Sequence, residues 1–122
     1  MKFAKRCFLI AGIYGIAALL PQYFLESKNG RDFPPEITHP EYYYGFVGVA
    51  LAWQVAFFII ASDPIRYRAL MIPAIIEKGS FGIAAVVLFL LNRLNPLLLS
   101  AGIFDLIVGT LFLVAYLRTP TS

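Results

Sequence analysis

Three ionisable side chains, Glu77, Lys78 and Asp105, lie within apolar runs of the chain rather than at their ends. Inside a membrane span each such group costs roughly 2.5–3.5 kcal/mol on insertion scales unless it is paired or hydrated, which makes it a functional candidate. The chemistry open to these groups is narrow: to hold the polar end of a ligand, to pass a proton, or to clamp neighbouring helices. Gln54 is the one strongly polar side chain of another apolar run, and Tyr14 stands within the first. At about 1.5 Å rise per residue, Glu77, Gln54 and Tyr14 fall at a similar depth, with Thr110 close by, and a hydrogen-bonded cluster of the first three is expected. The same rise puts Glu77 about 9 Å from the edge where its run begins and Asp105 about 12 Å from the opposite edge, so these two are expected at different depths.

Lys78 follows Glu77 directly, and a helix turns about 100° per residue, so the pair is not expected to share a face. Lys78 is instead expected to extend toward lipid headgroups, as Arg66 and Arg68 are from the basic turn before it. Asp105 is flanked at helical spacing by Gly102 and Gly109, which predicts a closely packed neighbour; Gln22, Asn92 or a hydroxyl group are its candidate partners. Tyr42, Tyr43 and Tyr44 begin a span where amphipathic rings favour the headgroup layer. Tyr43 and His39 are therefore also candidates for a ligand entrance.

Familiar catalytic sets are missing. The single histidine and single cysteine, His39 and Cys7, leave no multi-ligand metal site and no disulfide, and the chain has no phosphate-binding glycine loop or nucleophile elbow. No metal, cofactor or soluble-type enzyme chemistry is expected. The net charge of +3 does not point to nucleic acid, because the basic residues are scattered at the ends of apolar runs.

The elements that must position these residues follow from composition. With 60% hydrophobic residues, 14% charged residues and a mean hydropathy of +0.77 over 122 residues, the chain has more apolar surface than a soluble domain of this size can bury. An all-α membrane bundle of four spans is expected, at about 7–25, 42–62, 71–91 and 97–117, making one domain with an outer loop at 26–41. The basic, apolar start resembles a signal peptide, but no small-residue cleavage site follows and the apolar run continues to Leu25, so a retained first span is expected. Asn29-Gly30 suggests a turn within the loop. His39-Pro40, Asp63-Pro64 and Asn95-Pro96 read as helix starts with proline at the first helical position. Small residues at helical spacing, Ala11, Gly15 and Ala18 in one span and Gly45, Gly48, Ala52 and Ala56 in the next, would let neighbouring backbones approach.

Lysine and arginine gather on the N-terminal side of this layout (Lys2, Lys5, Arg6, Arg66, Arg68, Arg118), against Lys28, Arg31 and Arg93 on the other. Both termini are therefore expected to be cytoplasmic. In HPEYYYGFVGVALAWQVAF and DPIRYRALMIPAIIEKGSFG the chain resembles small bacterial inner-membrane proteins of about this length. Its layout is similar to that of the DoxX-like class of four-span proteins. The resemblance implies a multi-pass protein of the inner (plasma) membrane and assigns no activity. The leading expectation is an accessory or interaction subunit, or an oligomer of this chain. Its rival is a binder or carrier of a lipophilic molecule, a lipid or a quinone, held within the bundle.

Overall fold

The computed structural model describes residues 2–121 and is all-helical over them. Helix α1 spans Lys2–Leu19 and continues as a 3-10 turn, Leu20–Phe24; α2 is Glu26–Asp32, α3 Pro40–Ser62, α4 Met71–Leu90 and α5 Pro96–Arg118. Four stretches of 23 residues, Lys2–Phe24, Pro40–Ser62, Arg68–Leu90 and Pro96–Arg118, are apolar enough to cross a membrane. At about 35 Å each they exceed the roughly 30 Å hydrocarbon core. Ile10, Ile13, Val49, Ile76, Ile83 and Leu111 point outward and exposed, an arrangement that suits lipid and not water. The chain is a multi-pass membrane protein.

Proline and asparagine set the helix starts. Pro40 and Pro96 occupy first-turn positions, where a missing N–H costs nothing, and the Asn95 side chain accepts a hydrogen bond from the Leu97 N–H at 2.8 Å. Asn92 adopts a left-handed conformation (φ 60°) in the short link between α4 and α5. The outer segment departs from the expected loop. Asn29 and Gly30 lie inside α2, where the Asn29 amide donates to Gln22 Oε1 (2.7 Å) and to the Tyr43 hydroxyl (3.0 Å), and Gly30 is buried against the Glu36–Ile37 backbone. These tertiary partners override the turn tendency of the dipeptide.

Two helix pairs make the bundle. In the α4–α5 hairpin, Gly102 sits against Ala85, Gly82 against Leu106 and the Gly102 carbonyl, and Gly109 against Lys78, so small residues bring the backbones together. Between α1 and α3, the Phe58 ring lies over Gly12 and the Gln54 side chain over Gly15. The pairs join through α1 and α5, whereas α3 and α4 scarcely touch. The buried face of α3 is Val47, Ala50, Gln54, Phe57 and Ile60, not the small-residue stripe, of which Gly45 and Ala52 face outward. Aromatic and aliphatic side chains at that helical spacing fill the core better than glycine does.

The hydrophobic core occupies the half of the bundle nearest the two termini. Phe8 and Phe112 stack at 4.1 Å between centroids, and Phe57 meets Phe112 edge-on at 5.0 Å. Ile60, Met71, Ala74 and Ala115 close around them. The other half, toward α2, is splayed.

Candidate functional site

The splayed half holds a cavity of about 780 Å³, open to the outside beside the exposed Tyr14, Ala101 and Phe104, to which all four spanning helices and α2 contribute. Its floor lies on α4, whose inward seam is Met71, Ala74, Lys78, Gly82 and Ala85. Lys78 is 9% exposed, so the sequence expectation that it extends to the headgroups is overturned. Its ammonium lies 3.6 Å from Asp105 Oδ1, 3.9 Å from Glu77 Oε2 and 5.4 Å from the centre of the Phe57 ring. Two flexible side chains thus overcome the 100° offset between positions 77 and 78. The backbone levels of Glu77 and Asp105 do differ: Lys78 is opposite Gly109 and Ala85 opposite Gly102, with Asp105 in between. The long lysine stem closes that gap, and Lys78, rather than Gln22, Asn92 or a hydroxyl group, is the partner of Asp105.

The expected hydrogen-bonded cluster of Glu77, Gln54 and Tyr14 does not form, although all three line the cavity. Gln54, 1% exposed, turns its amide N–H back to the Ala50 carbonyl of its own helix at 2.8 Å. Its Oε1 is left without a hydrogen-bond partner, facing Gly15 of α1, and Glu77 Oε2 is likewise buried and without one. Tyr14 is 54% exposed and leans on the Phe104 ring at 4.9 Å. Equal depth brought the three to one level; the directions of their side chains kept them apart.

At the cavity mouth, the Tyr43 hydroxyl donates to the Gln22 carbonyl at 2.6 Å and accepts from Asn29, while the Tyr44 hydroxyl donates to Glu26 at 2.9 Å. Tyr43 is therefore part of the wall and ties α3 to α2 and to the end of the first span. His39 lies outside the cavity, contrary to its expected place beside Tyr43: it is exposed, stacks on Tyr42 and has Nδ1 3.5 Å from Glu41 Oε1. Of the two arginines expected to meet headgroups, Arg68 is engaged within the protein. Its Nε donates to the Thr119 carbonyl at 2.9 Å and its guanidinium covers the Tyr116 ring at 3.8 Å. Arg66 remains exposed beside Tyr67.

A second feature was not anticipated. Between α3 and α4 runs a groove of about 520 Å³ open to the outside, lined by Gly45, Val49, Trp53 and Ser80 and sharing Phe46, Ala50, Glu77 and Phe81 with the cavity. Phe46 and Phe81, 6.2 Å between centroids, face each other across this seam. Their positions read in the sequence as ordinary apolar filler, with no signal of a shared wall.

No protein-family model, curated protein or solved structure matches the chain. The chemistry of the site is therefore read from its own geometry: an apolar, aromatic-walled chamber ending on an ammonium, two carboxyl groups and a buried amide.

Proposed function

We propose that this protein binds a lipophilic amphiphile, of the lipid or quinone kind, within its bundle. The polar end of the ligand sits at Lys78, Glu77, Asp105 and Gln54, and its apolar part lies between Phe46, Phe81 and Phe104. The observation that carries this reading is the 780 Å³ cavity, with its charged groups and the Gln54 amide at one end, the polar Gln22, Asn29 and Tyr43 at its mouth, and apolar and aromatic walls between. Chambers of a few hundred Å³ with few, convergent polar groups are the usual form of a small-molecule site. The open seam between α3 and α4 supports entry from the bilayer.

Residence in an inner (plasma) membrane with both termini cytoplasmic is part of the proposal. It is supported by the excess of basic residues around one end of the bundle, where the Arg118 guanidinium covers Phe3 and Arg68 holds Thr119. A reporter fused to the C-terminus should be active in the cytoplasm; activity outside the cell would reverse the orientation.

A second reading, an accessory subunit or self-oligomer, has one observation in its favour: the outward Gly45 and Ala52 of α3. Native mass spectrometry of protein gently extracted from its own membrane separates the two. A reproducible added mass in the range of a single amphiphile is expected. A defined oligomer or protein complex without a small molecule would favour the second reading and defeat the first.

A further inference from the structure

Lys78 and Asp105 meet at the cavity floor without closing on one another. The ammonium stands 3.6 Å from Asp105 Oδ1 and 3.9 Å from Glu77 Oε2, beyond the roughly 2.7–3.2 Å of an N–H···O hydrogen bond. Neither Lys78 nor Asp105 has another side-chain hydrogen-bond partner among the described residues, so three N–H donors and the carboxylate lone pairs remain open to a third group. Both side chains line the cavity and neither lines the groove between α3 and α4. The surface they keep, 11% for Lys78 and 19% for Asp105, therefore faces the chamber. The two enclosed oxygens, Gln54 Oε1 and Glu77 Oε2, take no part in it.

A head group that accepts from Lys78 and donates to Asp105 matches both ends of this open pair. An anion can accept from the ammonium, but it donates nothing and brings a third negative charge beside Glu77 and Asp105. A cation can donate to Asp105, but it sets a second positive charge beside Lys78. A ketone or an ether accepts from Lys78 and leaves the carboxylate without a donor. A hydroxyl does both and carries no charge. The chain's own hydroxyl groups on the cavity wall do not reach the pair: Ser100 donates to Leu97 of its own helix, Tyr43 donates to the Gln22 carbonyl, and Tyr14 is half exposed and leans on Phe104.

We infer that the chamber selects a neutral amphiphile with a hydroxyl head, an alcohol or a phenol, seated between Lys78 and Asp105. This rests on the binding reading above and narrows it. Of a quinone and its reduced partner, the hydroxyl-bearing reduced form is the one that fits; a fatty-acid anion and an alkylammonium are the wrong complement.

The test is a calorimetric titration of the purified full-length protein in a maltoside detergent, referenced to protein-free micelles, with dodecanol, its methyl ether, dodecanoate and dodecylammonium. Dodecanol is expected to bind about ten- to a hundredfold more tightly than each of the other three, the range expected for hydrogen bonds to charged groups. Asp105→Leu should bring dodecanol and its ether to within about threefold of one another. Lys78→Met combined with Glu77→Leu and Asp105→Leu should do the same, and serves if the single variant does not fold. An octyl-substituted phenol run beside dodecanol separates an aromatic from an aliphatic carrier of the hydroxyl, and tighter binding of either supports the inference. Dodecanoate, dodecylammonium or the ether binding as tightly as the hydroxyl probes, or an alcohol preference that survives both sets of substitutions, would overturn it while leaving a binding chamber. If none of the probes binds, the chamber itself is not a ligand site, and the proposed function falls with it.

Discussion

Lys78 carries two carboxyl groups in a region where water is scarce, and the consequence of removing it is asymmetric. Lys78→Met leaves Glu77 and Asp105 facing one another without an ammonium, and uncompensated buried charge of this kind costs about 3–5 kcal/mol. Replacing the two carboxyl groups as well, Lys78→Met with Glu77→Leu and Asp105→Leu, should recover most of that loss, because apolar groups of similar volume need no compensation. Thermal unfolding of the three proteins in detergent measures the coupling; single and triple variants that unfold alike would mean that Lys78 and the two carboxyl groups do not act together. These charges were recognisable from their place in apolar runs, but their pairing was not. Counting depth along each helix treats a side chain as a point, whereas the lysine stem bridges the offset between Glu77 and Asp105. The register was nonetheless present in the sequence: Ala74, Gly82 and Ala85 recur with Lys78 on one helical face and mark it as the seam that meets α5. Gln54 was legible as a buried polar residue, while the turn of its amide back to Ala50 depends on side-chain rotation, which residue spacing does not encode.

Among the elements, the α4–α5 hairpin depends on close backbone approach, and its glycines are not equivalent to those elsewhere. Gly102→Val would press against Ala85 and should lower stability by about 1–3 kcal/mol, the usual cost of overpacking. Gly45→Ala adds a carbon where nothing lies within 4 Å and should be neutral or slightly stabilising. Comparing the two unfolding temperatures distinguishes packing from helix propensity, which alone would favour both changes. The link between α2 and the spans is lighter: Tyr43→Phe removes one donor and one acceptor, worth about 0.5–1.5 kcal/mol per hydrogen bond, and should raise the rate of protease cleavage in 26–41 without altering the spans. The spans themselves were legible because twenty apolar residues bounded by proline and asparagine have few alternatives. Helix α2 was not, since it is held by Asn29 and Gly30 through contacts with distant residues, against their local preference for a turn.

At the scale of the whole molecule, the division into a packed half and an open half decides how a bound molecule is held. The packed rings of Phe8, Phe57 and Phe112 fill the terminal half, so the chamber above Lys78 is a blind recess and not a channel. One side from which it can be reached is the groove between α3 and α4, where the Phe46 and Phe81 rings meet at 6.2 Å between centroids. A ligand that enters there comes from hydrocarbon, and its tail gains almost nothing by moving from lipid to a phenylalanine-lined wall. In bilayers, affinity should therefore be nearly independent of alkyl chain length, while in aqueous assays the apparent affinity should rise by about 0.8 kcal/mol per methylene. Parallel titrations of C10, C12 and C14 amphiphiles with one head group in vesicles and in dilute detergent would show the difference; the same steep dependence in both would mean that the ligand arrives from water. On the proposed binding reading, the quantity that governs occupancy is the mole fraction of the amphiphile among its neighbouring lipids, and the protein would respond to membrane composition rather than to any dissolved concentration.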